Sequence, residues 1–341
     1  MTDPEDKRPG LLFWLPALVN RQAPLSQVAK AVLATAILIV IGGVLAPSTV
    51  FPSAINSMLP FVAVLAVAAI GQHLVIQQRG LDLSVAGIMS FAAVMVSVFP
   101  DHDGGVGGTI FWVILTLAMG FGVGLFNGLL VTFLRVPPLV TTIGVNSLLL
   151  GATMYASRGF AQQVPPPLNA FGLGRFLGIP LMVYVAVLFT ALVTLVLTRT
   201  AIGRRFIATS VNPDAAVAVA IRLDAYRIGT YALAGFCYAG AGVILSAYVL
   251  SPTVNAGLPY MLATIAAVVV GGNSIGGEQR GSVVATAIGA LFLTYLGQLV
   301  LSIGFGTAAQ DIVQALIIIA SFAVPEMARW RHLVPNVRFK A

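Results

Sequence analysis

Apolar positions in this chain run for about twenty residues at a time, and the polar positions gather between the runs. A helix needs ~20 mostly apolar residues to cross a lipid bilayer. The pattern predicts ten such helices, at roughly 28–46, 57–77, 83–99, 109–134, 138–156, 180–198, 229–250, 259–273, 281–301 and 309–325. The longest polar interruption is Thr200 to Gly229. Within it, Asn212-Pro213-Asp214 opens an Ala-rich run: Asn is a good N-cap, Pro suits the first helical position, and Asp suits the positive end of a helix. A short helix is expected over roughly 213–221, small-sided through Ala215, Ala216, Ala218 and Ala220, and set among Arg204, Arg205, Arg222 and Arg227. Such a helix either connects two spans along the interface or docks into a partner. The expected organisation is a cytoplasmic tail (1–27), a transmembrane domain (28–326) with a cytoplasmic loop at about 199–228, and a cytoplasmic tail (327–341).

Composition supports lipid as the solvent. The 341 residues are 58% hydrophobic and 9% charged, against about 25% charged in a soluble chain. The fold class expected is an all-α polytopic membrane protein with about ten transmembrane helices. The net charge of +7 reports orientation in such a chain rather than nucleic-acid binding. Ten spans put both termini on one side. With the N-terminus inside, 16 of the 18 Lys and Arg fall inside, and only Arg158 and Arg175 fall outside. That bias predicts cytoplasmic termini. One cysteine, Cys237, rules out a disulfide framework or a Cys-based metal site within the chain. The opening MTDPEDKRPG has three acids and no apolar run, so it is not a secretory signal.

A faint repeat links residues 64–94 with 262–292. Each reads as span, Gly-and-Arg break, Ser-Val, span. In the expected topology the two copies run parallel, with an axis along the membrane normal. The longest external segment, QQVPPPLNAFGLG at 162–174, is either a plain loop or a partner-facing surface.

Few residues offer chemistry. Asp82, in Gly80-Leu81-Asp82-Leu83-Ser84, stands where the third span begins. There it either caps free backbone N–H groups or meets cargo. Asp311 opens the last span with the same choice, and Pro180 fits the first turn of the sixth. His73 has no carboxylate or second His three or four residues away, which favours a satisfied buried residue over a proton relay. Asn127, Thr141, Thr142, Asn146, Ser147, Asn255, Asn273 and Gln298 form a neutral polar set. It suits uncharged, hydroxyl-rich cargo, or it holds helices together. The run from Gly271 to Ser282 is not a phosphate loop, because none of Lys7, Lys30 and Lys340 follows a Gly. No metalloprotease, nucleophile-elbow or paired-carboxylate motif occurs, so no covalent catalysis or ATP hydrolysis is expected of this chain.

Several blocks resemble a known family. Gly80-Leu81-Asp82-Leu83-Ser84-Val85 is similar to a sequence block of the ribose/galactose-type (monosaccharide) ABC importer permeases. So are Phe126-Asn127-Gly128-Leu129-Leu130-Val131 and the stretch from Val136 to Gly144. Gly203-Arg204 through Asn212 with Ala215-Ala216 resembles the family's cytoplasmic loop. Asn255-Ala256-Gly257, the stretch from Ile265 to Gly272 and Arg280-Gly281-Ser282 resemble its C-terminal block. The likeness covers about residues 57–325, in order and at matching spacing.

The resemblance implies a permease subunit in a bacterial inner membrane that moves a monosaccharide or polyol inward by alternating access. It implies a second permease copy or sister permease, a cytoplasmic ABC ATPase that binds ATP and Mg, and a periplasmic sugar-binding protein. This chain itself would hold no cofactor and no metal. Arg204, Arg205, Asn212, Pro213, Asp214, Ala215, Ala216 and Ala220 become ATPase-coupling candidates. Asp82, Ser84, Asn127, Thr141, Asn146, Asn255 and Asn273 become candidates for the translocation pathway or its gates. The alternatives are an ABC permease for nucleosides or branched-chain amino acids, or an ion-coupled secondary carrier using Asp82, His73 or Asp311. The chain departs from the family pattern at Leu150, Met261 and Ala263, at Ser210-Val211 in place of Gly-Gly, and in a longer turn through Glu278-Gln279.

Overall fold

The computed structural model describes residues 26–100, 105–160, 162–273 and 281–333, with side chains described as far as residue 320. The turn through Glu278-Gln279 lies outside the described residues, as does most of the N-terminal tail. The helices are α1 (Gln27–Leu45), α2 (Pro52–Gln77), α3 (Val85–Val98), α4 (Gly105–Thr132), α5 (Pro138–Ser157), α6 (Pro166–Leu173), α7 (Leu181–Arg199), α8 (Ala201–Val211), α9 (Pro213–Ala218), α10 (Leu223–Val249), α11 (Tyr260–Val270), α12 (Val283–Ser302) and α13 (Thr307–Leu333). Each of the ten expected spans falls on one of them. Seven are long and apolar enough to cross a membrane, and α3, α11 and the apolar part of α13 are shorter. The chain is an all-α polytopic membrane protein.

Helices α2 and α10 form the centre. Most of α2 from Ala63 to Gln77 is buried, as is most of α10 from Thr230 to Ala247. Helices α1, α4 and α7 turn apolar side chains such as Val44, Phe111 and Leu188 outward. Lipid is as apolar as leucine, so close backbone approach rather than hydrophobicity selects helix neighbours. Gly120, Gly124 and Gly128, spaced four apart on α4, permit that approach. A Cβ at Gly120 would meet the Gly235 carbonyl oxygen at 2.7 Å, and one at Gly128 would meet Ile228 Cα at 2.8 Å.

Beyond the ten spans lie α6, a short hairpin and the helix pair α8–α9. The segment at 162–174 contains a helix, α6, which packs on the end of α10 and leaves Gly172 against the Ala247 carbonyl. A hairpin follows, with β1 (Arg175–Phe176) pairing antiparallel with β2 (Ile179–Pro180). Its two turn residues, Leu177 and Gly178, both have positive φ (49° and 80°), as a two-residue turn matching strand twist requires.

Helix α2 ends on a left-handed Arg79, φ 61°. Gly80 N–H returns to the Val75 carbonyl at 3.0 Å, and Arg79 N–H returns to Ile76 at 2.9 Å. This is the usual glycine-type stop, with arginine at the left-handed position. Gly80 is needed for room, because a Cβ there would stand 2.6 Å from the Tyr231 hydroxyl. The chain breaks between α2 and α3 and again between α11 and α12, the two stretches paired in the sequence. The aligned serines, Ser84 and Ser282, are the N-caps of the second helices.

Candidate functional site

Three groups of residues stand out: two buried polar clusters where the helices break, and a helix pair on the Arg-rich side.

The first cluster satisfies the start of α3. A helix beginning within a bilayer leaves N–H groups that must find partners. Leu83 N–H donates to Thr142 Oγ1 at 3.1 Å, Ser84 N–H to Asp82 Oδ1 at 2.9 Å, and Gly87 N–H to Asn146 Oδ1 at 2.7 Å. Asn127 Nδ2 adds a bond to Ser84 Oγ at 2.9 Å. Asp82, Ser84 and Asn127 are fully buried. Three segments of chain, the start of α3, α4 and α5, therefore meet at one helix start. Of the adjacent threonines, Thr142 makes the bond. Thr141 is buried with its hydroxyl unpaired among the described residues.

The second cluster satisfies the start of α12. Ser282 N–H donates to Asn273 Oδ1 at 2.7 Å, and Asn273 Nδ2 reaches Thr286 Oγ1 and the Val268 carbonyl, each at 2.9 Å. Thr286 Oγ1 lies 3.0 Å from His73 Nδ1. Gly281 N–H donates to Gln77 Oε1 at 3.0 Å. His73 is thus a buried, hydrogen-bonded residue of α2. Asn255 belongs to neither cluster. It is exposed in the turn before α11, at the rim of a cavity of about 940 Å³. Its neighbour Gly257 is tied to α3 by an N–H bond to Ser90 Oγ at 3.0 Å.

The helix pair is α8–α9. Thr200 caps α8 by accepting from Gly203 N–H at 3.1 Å. Gly203, Phe206, Thr209 and Ser210 face inward at helical spacing, and Arg204 and Arg205 face out. The inward face clamps the end of α2. Gln77 Nε2 donates to Ser210 Oγ at 2.8 Å, and Ser210 Oγ donates to the Gln77 carbonyl at 2.6 Å. Gln78 Nε2 donates to Thr209 Oγ1 at 3.0 Å and to the Phe206 carbonyl at 3.1 Å. Asn212 then caps α9, its Oδ1 accepting from Ala215 N–H at 3.0 Å, with Pro213 and Asp214 in the first turn.

Helix α9 stops at Ala218, three residues short of the expected end. Ala220 is left-handed, φ 58°, and Ile221 N–H turns back to the Ala216 carbonyl at 3.0 Å. Ala216 is 2% exposed, whereas Val217 is 56% and Val219 70% exposed. The pair therefore presents exposed Val217 and Val219 together with exposed Arg204, Arg205 and Asp214, and is held on a membrane helix by hydrogen bonds. The N-cap was legible as Asn-Pro-Asp. The glutamines that hold the pair down, Gln77 and Gln78, carried no signal beyond lying near His73.

A multi-helix membrane bundle with polar breaks in its helices and a capped helix pair outside its spans has the form of a transporter's membrane-spanning subunit. A family model described as branched-chain amino acid transport system / permease component matches residues 54–322, and the chain belongs to that family of ABC importer permeases. The chain is 33% identical over 288 residues to the galactofuranose transporter permease protein YtfT of Escherichia coli (strain K12), covering 81% of this chain and 80% of that one. It is 32% identical to the ribose import permease protein RbsC of Bacillus subtilis (strain 168), covering 83% and 88%. It is 28% identical to the autoinducer 2 import system permease protein LsrC of Escherichia coli (strain K12 / DH10B), covering 85% and 84%. No solved structure matches the chain significantly. The protein is a transport subunit rather than an enzyme.

Proposed function

We propose that this chain moves a monosaccharide or related polyol inward by alternating access, driven by ATPase subunits that dock on α8–α9. The charge bias supports an inside position for this pair and for both termini. The observation that carries the coupling reading is the clamp between Gln77-Gln78 and the inward face of α8. A push on Val217 and Val219 reaches α2, the buried central helix, through a short chain of hydrogen bonds. Arg204, Arg205, Asn212, Pro213, Asp214, Ala215, Ala216 and Ala220 form or flank that contact. The names of the relatives favour a sugar over an amino acid. A second permease copy or sister chain and a periplasmic sugar-binding protein complete the proposed assembly.

In this proposal Asp82, Ser84, Asn127 and Asn146 act on the pathway indirectly, by fixing where α3 starts, and Asn273 does the same for α12, while Thr141 sits beside the first cluster without bonding to it. Asn255 is the pathway candidate with an exposed side chain. The test is affinity purification of the full chain in nanodiscs, with partners identified and ATP hydrolysis assayed. A co-purifying ATPase that is lost in Ala215→Trp supports the reading. A partner-free protein that moves solute on an ion gradient overturns it.

A further inference from the structure

We infer that the cavity of about 940 Å³ is a cargo-binding vestibule for a neutral polyhydroxyl molecule, held between amide side chains and aromatic rings. This rests on the transport reading and adds a site to it.

The cavity lies between the start of α2, the end of α10, the start of α11, the end of α12 and the start of α13. Those are the helix ends for which the charge bias supports an outside position, opposite the α8–α9 pair. Its size is within the ~300–1,000 Å³ of small-molecule sites. Among the described residues, the lining has no carboxylate, ammonium, guanidinium or imidazole group. A zwitterionic amino acid would find no countercharge here for either of its ionised groups.

The lining instead offers Gln298, Gln310 and Gln314, each able to donate to and accept from hydroxyls without fixed charge. Gln310 has room because residue 297 is glycine: a Cβ there would come within 2.6 Å of Gln310 Nε2. The same lining includes Tyr260 and the pair Phe61–Tyr248, whose rings meet edge to face at 5.4 Å and 89°. Aromatic faces carry partial negative charge, which suits the C–H faces of a sugar ring. With Asn255 at the rim, four amides and three aromatic rings around one uncharged space match a cargo that is polar at its rim and apolar across its face.

Cys237, the one cysteine of the chain, is buried, so an introduced cysteine can be labelled selectively. Gln298→Cys, Gln310→Cys and Gln314→Cys are made separately in the full chain. Each is treated in intact cells with a membrane-impermeant maleimide. The expected result is labelling from outside that a saturating mixture of neutral aldopentoses and aldohexoses slows several-fold. A mixture of valine, leucine and isoleucine leaves it unchanged. Labelling that no sugar slows, or that only the amino acids slow, overturns the inference, as does failure of all three cysteines to label. If the site fails while the chain still co-purifies with an ATPase, the transport reading stands without it. If no ATPase co-purifies, that reading fails separately.

Discussion

Gln77 and Ser210, 133 positions apart, are joined by two hydrogen bonds, side chain to side chain at 2.8 Å and hydroxyl to backbone carbonyl at 2.6 Å. Ser210 is one of the positions where the chain departs from the Gly-Gly of the family pattern. A glycine could make neither bond. Ser210→Gly therefore removes the hydroxyl from a buried pair, at about 1–3 kcal/mol for the groups left unpaired. The expected outcome is normal membrane insertion with weaker coupling, measured as more ATP hydrolysed per molecule transported. Unchanged coupling would show that the clamp transmits nothing.

The neighbouring alanines of α9 separate packing from docking. Ala215 is exposed and Ala216 is buried. Ala215→Trp is expected to leave expression and melting temperature unchanged while abolishing ATPase co-purification. Ala216→Trp overpacks the contact and lowers thermal stability, as inserted bulk does by ~1–3 kcal/mol. Equal melting temperatures for the two variants would contradict the assigned faces.

Asn212 holds the first turn of α9 through Ala215 N–H. Asn212→Ala is expected to weaken that turn by about 1 kcal/mol, and Asn212→Ser to restore most of it. Amide hydrogen exchange at residues 214–216 is the direct readout: faster in the alanine variant, near normal in the serine variant.

Asp82 accepts from Ser84 N–H through one carboxylate oxygen. Asn keeps an acceptor of the same shape and Leu does not. Asp82→Asn should therefore reach the membrane in near-normal amount, while Asp82→Leu should lose stability by ~1–3 kcal/mol, the cost of leaving the buried Ser84 donors without this acceptor. Equal loss in both, by fluorescence-detected size exclusion, would assign Asp82 a role that depends on its charge.

Gly124 sits where a Cβ would run into the Tyr231 carbonyl. Backbone cannot yield as a flexible side-chain end can, so Gly124→Ala forces α4 and α10 apart. The variant is expected to aggregate on detergent extraction, whereas Gly122→Ala, with nothing within 4 Å of its added Cβ, is expected to behave as the parent does. Similar extraction behaviour for both would contradict this packing.

The ten helices were legible in sequence because a bilayer demands a long apolar run of each, whatever its neighbours. The α9 start was equally legible, because a cap acts over three residues. The same uniformity hid the arrangement. In lipid the centre and the periphery are both apolar, so nothing in hydropathy distinguishes α2 and α10 from α1 and α7. The glycine spacing on α4 marks a close contact but does not name Gly235 as its partner. Residues far apart in sequence carry the rest. Thr142 and Asn146 cap a helix about 59 positions earlier, and Gln77 reaches Ser210. Phe61, Tyr248 and Gln310 meet around one cavity. Sequence by itself determined the spans, their charge asymmetry, the family and the capped helix, all set by local runs of residues or aligned blocks. Only the tertiary structure decided which polar residues seal the broken helices and which face open space. A hydrogen bond or a cavity wall depends on distance in three dimensions, and backbone contacts between α4, α10 and α2 set those distances.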